Sequence, residues 1–86
     1  MAKATITCYT WPHCPYCKKA KGLLDELGLA YTDYDIYGKP EEKQRLIDET
    51  GQTTVPYIFF NDKLIGGCDD LFALYKSGNL ENALSQ

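Results

Sequence analysis

Polar and apolar positions first alternate along this chain and then change period. From Ala4 to Tyr9, Ile6 and Cys8 fall on one side of an extended segment and Thr5, Thr7 and Tyr9 on the other, which predicts a strand. Trp11-Pro12-His13 interrupts it. Beyond Pro15, the residues Ala20, Leu23, Leu24 and Leu27 recur at i, i+3, i+4 and i+7, one apolar face of a helix. Pro15 suits the first helical position, where its missing N–H does no harm, and Gly28 is a natural stop. Ala30 to Ile36 reads as a second strand, turned by Gly38-Lys39-Pro40. Pro40 to Thr50 reads as a charged helix with Leu46 and Ile47 as its apolar contacts and Gly51 closing it. Val55 to Phe60 is a short apolar strand; Asn61-Asp62 turns it into a returning strand, Lys63 to Ile65, that ends at Gly66-Gly67. Asp69 or Asp70 is placed to cap a third helix through Tyr75, with Leu71, Phe72, Leu74 and Tyr75 facing inward. Gly78 interrupts, and Leu80 to Leu84 add a last turn.

The order β-α-β-α-β-β-α predicts an α/β fold. Its first two strands are parallel through a right-handed crossover, its last two form an antiparallel hairpin, and helices lie on both faces of a four-stranded mixed sheet. Eighty-six residues suit a single domain over 1–86. A hydrophobic share of 44% with 24% charged residues excludes a disordered chain, and no apolar run reaches the roughly 20 residues that span a bilayer. Met1 to Tyr9 lacks the charged-then-apolar pattern of a secretory signal. The net charge of −3 argues against nucleic acid as a partner, since nonspecific grip on phosphates needs a basic surface. Charge is unevenly placed: a basic cluster at Lys18, Lys19 and Lys21 stands against an acidic pair at Asp69 and Asp70. Brought together by the fold, they suit a zwitterionic ligand; left apart, they are solvated faces.

The four cysteines sharpen this. Cys14 and Cys17 form a close pair, while Cys8 and Cys68 stand alone, a distribution that suits reactive thiols in a reducing, cytoplasmic compartment and not a disulfide scaffold. Cys14-Pro15-Tyr16-Cys17 directly follows a strand and opens a helix, the setting of a dithiol redox motif. At the N-cap, the Cys14 sulfur faces free N–H groups and the positive end of the helix, which favour a thiolate; Lys18, and His13 when charged, add positive charge. An ordinary thiol of pKa about 8.5 is only about 3% ionised at pH 7, so the setting decides reactivity. Cys17, one turn in, is shielded. Cys14 is therefore expected to attack and Cys17 to resolve. Zinc usually takes four ligands; one His and no second CxxC make a zinc site a poor alternative.

Two further signals accompany the pair. Thr54-Val55-Pro56 puts proline at a strand start; a trans peptide there is an ordinary turn, whereas a cis peptide would leave the Val55 backbone groups open to an extended peptide. Gly66-Gly67-Cys68-Asp69-Asp70 lets backbone approach a ligand just ahead of a helix N-terminus, with aspartates at hand for an ammonium. With Cys14-Pro15-Tyr16-Cys17, these segments resemble the glutaredoxin family over nearly the whole chain, Thr5 to Leu84, in its compact dithiol form typical of bacteria. Thioredoxins share the fold but carry a Trp-Cys-Gly-Pro-Cys motif, absent here.

The resemblance implies a thioredoxin-like fold with strand order 2-1-3-4 and a cis bond before Pro56. It implies glutathione as co-substrate, with no bound cofactor or metal. The implied glutathione contacts are Tyr16, Gln52, Thr54, Val55, Pro56, Gly67, Cys68, Asp69 and Asp70: Val55 pairs with the cysteinyl backbone, Cys68 to Asp70 meet the γ-glutamyl end, and Gln52 meets the glycine end. The implied activity is thiol–disulfide oxidoreduction by a monomer on disulfide or glutathionylated proteins, with ribonucleotide reductase as one narrow partner. The alternative is a glutathione-ligated iron–sulfur carrier bridged between subunits through Cys14, against which Pro15 counts. The chain departs from many relatives at Trp11, where they carry Lys, and from some at Gln52, where they carry Arg.

Overall fold

The computed structural model describes residues 4–85; residues 1–3 and 86 of the expected 1–86 domain lie outside them. Strand β1 (Ile6–Thr10) is the centre of the arrangement. It pairs in parallel with β2 (Thr32–Asp35), Cys8 opposite Asp33, and antiparallel with β3 (Tyr57–Phe60), Cys8 opposite Ile58. The hairpin partner β4 (Lys63–Gly66) completes a four-stranded mixed sheet in the order β2-β1-β3-β4. This is the thioredoxin-like order, with both the parallel and the antiparallel pairs in their expected places.

Alternation along β1 and β3 decides what covers each face. Ile6, Cys8, Ile58 and Phe60 point to one side and pack with Ala20, Leu23 and Leu24 of α1 (Pro15–Glu26), Leu71 of α3 (Cys68–Ser77), and Leu80 and Leu84 of α4 (Leu80–Leu84). Tyr57 points to the other side and packs with Ile36 and Leu46 of α2 (Pro40–Thr50), with Tyr9, Trp11, Val55, Phe59 and Leu64 half-buried around them. Helices therefore lie on both faces. The sheet also closes on its ends: the Asn61 N–H donates to Thr5 O at 2.7 Å, and the Ala4 N–H to Leu84 O at 2.7 Å.

Several expected boundaries move, each for a tertiary reason. β1 runs on to Thr10, because Thr10 pairs with Asp35 and turns its side chain inward, 1% exposed. β2 is shorter than Ala30–Ile36 and all four of its residues are exposed; as an edge strand it has one neighbour, and Tyr34 stacks on Tyr9 at 5.3 Å instead of entering a core. β3 begins at Tyr57, leaving Val55 outside the ladder. Tyr75, expected inward, stays 45% exposed at the rim of a groove lined by Leu27, Leu29 and Leu80.

The turn into α3 couples two residues. Its N-cap is Gly67, two residues before Asp69 and three before Asp70, the caps expected from the sequence, and Asp70 folds back so that Oδ2 accepts from the Gly67 N–H at 2.9 Å. Gly66 makes room for this: its φ of 130° lies in the region that favours glycine, and a Cβ there would overlap the Asp70 carboxylate. We expect Gly66→Ala to lower stability by more than about 1 kcal/mol. In an Asp70→Ala background the added cost should shrink, because the collision is gone while the backbone strain remains. Denaturant unfolding of the four-member cycle measures the coupling; strictly additive costs would refute it.

Candidate active site

The helical phase that builds the core also sets the two thiols apart. Pro15 is the first residue of α1, so Cys14 is its N-cap, extended at φ −87° and ψ 117°. Cys17, three residues ahead of Ala20 and seven ahead of Leu24, shares their inward face and is 0% exposed, whereas Cys14 is 9% exposed. The Cys14 sulfur accepts from the Cys17 N–H at 3.3 Å, and the Cys17 thiol hydrogen-bonds to it as well. Two donors thus converge on one sulfur at the N-terminal end of a helix.

The other three thiols are held protonated. Burial, then the hydrogen bond to Cys14, pushes Cys17 up to about 12 from 9.0, while the Trp11 backbone and the Lys21 ammonium act against the rise. Burial, then Asp33, pushes Cys8 up to about 12. Burial first, then the negative charges of Asp69 and Cys14, raises Cys68, against the pull of Lys19.

A cleft of about 490 Å³ opens beside the first turn of α1. Tyr16, in the first turn of α1, forms one wall and is 58% exposed. Gln52, Thr54, Val55 and Pro56, on the approach to β3, form the second; Gly67, Cys68, Asp69 and Asp70, at the start of α3, form the third. All nine residues that sequence reasoning linked to glutathione therefore line one space, and Cys68 lies within electrostatic reach of Cys14 beside it. The peptide bond before Pro56 is cis. The Gln52 amide donates to Thr54 O and Pro56 O, both at 2.9 Å, and the buried Tyr57 hydroxyl donates to Gln52 O at 2.6 Å, so this wall is braced from within.

The three lysines of the basic cluster take different roles. Lys18 stands exposed on the first turn of α1. Lys19 lies 5.0 Å above the Phe72 ring, and it and Asp69 act in opposite directions on Cys68. Lys21 turns to Asp33 at 2.8 Å, whose second oxygen accepts from the buried Thr10 hydroxyl at 2.6 Å.

A family model described as Glutaredoxin matches residues 6–65. The chain belongs to the glutaredoxin family. Glutaredoxin 3 of Escherichia coli strain K12 is 42% identical over 81 residues, 94% of this chain and 98% of that protein. The solution structure of a glutaredoxin from Brucella melitensis superimposes with a TM-score of 0.86 at 36% identity, over 99% of this chain and 92% of that one. A buckwheat glutaredoxin–glutathione complex superimposes with a TM-score of 0.89 at 31% identity, over 94% and 76% of the two chains. Membership makes this glutaredoxin a glutathione-linked thiol oxidoreductase.

Sequence reasoning missed two groups that the structure brings to the site of this glutaredoxin. Lys43, on α2, donates its ammonium to Thr53 O, between Gln52 and Thr54, and holds it 6.0 Å from the Trp11 ring centroid. It sets a cation at the end of the cleft where Trp11 and Gln52 lack one. The Thr10–Asp33–Lys21 chain lies on the face toward which Cys17 and Cys8 point, and Lys21 acts on both. Neither group has a local signature, because their partners are ten or more residues away.

Alkaline pH should expose the asymmetry of the thiols. A folded pKa raised above its unfolded value means that the folded state keeps a proton which the unfolded state loses. Cys8 and Cys17 therefore stabilise the fold progressively less as pH rises from about 9 toward 12, by up to about 1.4 kcal/mol per pH unit for each thiol. Urea unfolding between pH 8 and 10.5 should show this fall, and Cys8→Ala should flatten it; an unchanged slope would contradict the burial argument. Over the same range, iodoacetamide should label Cys14 long before Cys17 in the native protein, as mapped by mass spectrometry.

Proposed function

We propose that this glutaredoxin uses glutathione to reduce both glutathione mixed disulfides and protein disulfides. The observation that carries the reading is the single cleft beside Cys14 bounded by Tyr16, by Gln52 to Pro56 and by Gly67 to Asp70. Glutathione is an extended γ-linked tripeptide with a carboxylate at each end and one ammonium. Val55, outside the β-ladder, suits the cysteinyl backbone. The N-terminus of α3 suits the γ-glutamyl carboxylate and Asp69 the ammonium, since Asp70 already accepts from Gly67. Lys43 suits the glycine carboxylate.

In the first reaction the Cys14 thiolate attacks the glutathione sulfur of a protein–glutathione disulfide. A new S–S bond joins Cys14 to glutathione, the old one breaks, and the protein thiolate leaves and is protonated. A second glutathione, as thiolate, attacks the glutathione sulfur on Cys14; oxidised glutathione leaves and the Cys14 thiolate returns. In the second reaction Cys14 attacks a protein disulfide, and Cys17 loses its proton and attacks the Cys14 sulfur. The substrate leaves as a dithiol, and two glutathiones reduce the Cys14–Cys17 disulfide. A Cys17 thiol held near 12 waits protonated until that step, which limits premature resolution. The setting proposed for this chemistry is the cytoplasm.

The assay is disulfide reduction coupled to glutathione, glutathione reductase and NADPH. Cys14→Ser should abolish both reactions. Cys17→Ser should keep deglutathionylation and lose most protein-disulfide reduction; loss of both would refute the monothiol route. Absence of turnover without glutathione, and no substitution by thioredoxin reductase, would support glutathione as reductant.

The aspartates should divide their roles. Asp69→Ala should weaken use of glutathione about ten- to hundredfold in kcat/KM, the range of a hydrogen bond to a charged group, with little change in thermal stability. Asp70→Ala should lose about 1 kcal/mol of stability through its cap. Full glutathione kinetics in Asp69→Ala would show that the γ-glutamyl site is misassigned.

A further inference from the structure

Cys17 has to form a thiolate where water does not reach it. It is 0% exposed, so the negative charge that develops on its sulfur in the resolving step needs a partner supplied by the protein. α1 carries a cation one turn further on. Lys21 follows Cys17 by four residues, the spacing that makes two side chains neighbours on a helix surface. Lys18 and Lys19 are exposed, whereas Lys21 is half-buried.

The sheet holds that ammonium in place. Lys21 Nζ donates to Asp33 Oδ2 at 2.8 Å, and Asp33 Oδ1 accepts from the Thr10 hydroxyl at 2.6 Å. Thr10 is buried and paired with Asp35, and Asp33 stands opposite Cys8. Three elements, α1, β1 and β2, thus meet at one carboxylate whose two oxygens have separate partners. A partly exposed ion pair contributes little to stability. A fixed cation near a buried thiol contributes to its chemistry instead, because it is in place before the charge forms.

Other ionisable groups gather around the pair. Cys14 acts on Cys17 along α1, and Asp33 of β2 acts on Cys8 of β1. Tyr31, ahead of β2, interacts with Asp25, Lys21 and Asp33. From α3, Cys68 reaches Cys14 and is itself acted on by Lys19 and Asp69. Lys21 eases the ionisation of both Cys17 and Cys8. The hydrogen bond to Asp33, first, and then, against burial, the charges of Asp33, Tyr31 and Cys17 hold Lys21 above its ordinary pKa, so it stays an ammonium throughout.

We propose that Lys21 is a positioning residue for the resolving half of the reaction: anchored by Asp33, its ammonium supplies the positive charge for the thiolate that forms on Cys17 as Cys17 closes on Cys14. The inference rests on the dithiol route proposed above. The Cys17 thiol loses its proton, its sulfur bonds to the Cys14 sulfur, the bond from Cys14 to the substrate sulfur breaks, and the departing thiolate takes up a proton. Lys21 neither gives nor takes any of these protons; it lowers the cost of the thiolate. Deglutathionylation, which bypasses Cys17, does not draw on it.

The test follows closure directly. Reduced protein is mixed with excess oxidised glutathione at pH 7 and quenched with acid, and mass spectrometry reads the form carrying glutathione on Cys14 and the closed Cys14–Cys17 disulfide over time. Lys21→Met keeps the aliphatic stem and removes the charge. It should slow closure roughly two- to fivefold, the range of one screened charge acting on a thiolate nucleophile. Lys21→Arg should restore the rate. In a Cys17→Ser background, Lys21→Met should leave kcat/KM for a glutathionylated peptide unchanged. Closure at the unaltered rate in Lys21→Met, an equal slowing in Lys21→Arg, or a matching loss of deglutathionylation in the Cys17→Ser background would each overturn the role of Lys21. Failure of the unaltered protein to form the Cys14–Cys17 disulfide would overturn the dithiol route on which it rests.

Discussion

The start of α1 at Pro15 is the constraint on which the rest of this molecule depends. β1, paired on both sides, delivers the chain to Thr10 in a fixed direction, and a short turn then places Cys14 as the N-cap. From there the helical period sends Cys17, Ala20 and Leu24 inward together. A start displaced by one residue would rotate that face by about 100°. It would take the apolar stripe off the sheet and the Cys17 thiol out of reach of Cys14. Packing and redox chemistry therefore share one register, and the core enforces the spacing that the thiols need.

Features governed by local physics were legible in the sequence. The phase of α1, Pro15 at its head, the left-handed glycines at 28, 51 and 78 and the hairpin turn at Asn61 depend on neighbours in the chain, and they stand where expected. The three motifs also marked the walls of the cleft, because each occupies the end of an element and the βαβ topology gathers those ends. What escaped depends on distant partners. The exposed face of β2 follows from its edge position, and the inward turn of Thr10 from Asp33 across the sheet. The cap of α3 fell to Gly67 because Gly66, at φ 130°, lets Asp70 fold back; nothing local distinguishes that from an aspartate at the cap itself. Lys43 approaches Thr53 from another element altogether.

The charge pattern shows how far composition reaches. A basic cluster and an acidic pair far apart in sequence suggested a zwitterionic ligand, yet each lysine has its own fate. Lys21 is committed to Asp33, whereas Lys19 and Asp69 both act on Cys68 at the head of α3. The opposed charges that survive near the cleft are therefore fewer than the sequence count, and those that remain sit by its Gly67–Asp70 wall. At the other end, Lys43 of α2 stands 6.0 Å from the Trp11 ring centroid and bonds to Thr53 O beside Gln52.

Four copies of the same functional group in one chain also explain why selectivity here is a matter of burial. Cys8, Cys17 and Cys68 are 0%, 0% and 4% exposed, and desolvation is the largest influence on each, holding all three as thiols. Cys14, 9% exposed, differs in having two donors on its sulfur. Desolvation alone would make Cys17 inert, and the hydrogen bond that supports Cys14 raises Cys17 further. That bond exists only while Cys14 carries a free sulfur. In the mixed disulfide proposed above, the Cys14 sulfur would be a poorer acceptor, and this influence on Cys17 would weaken. On the dithiol route proposed above, the contact that helps hold Cys17 protonated would loosen in the step that precedes its attack.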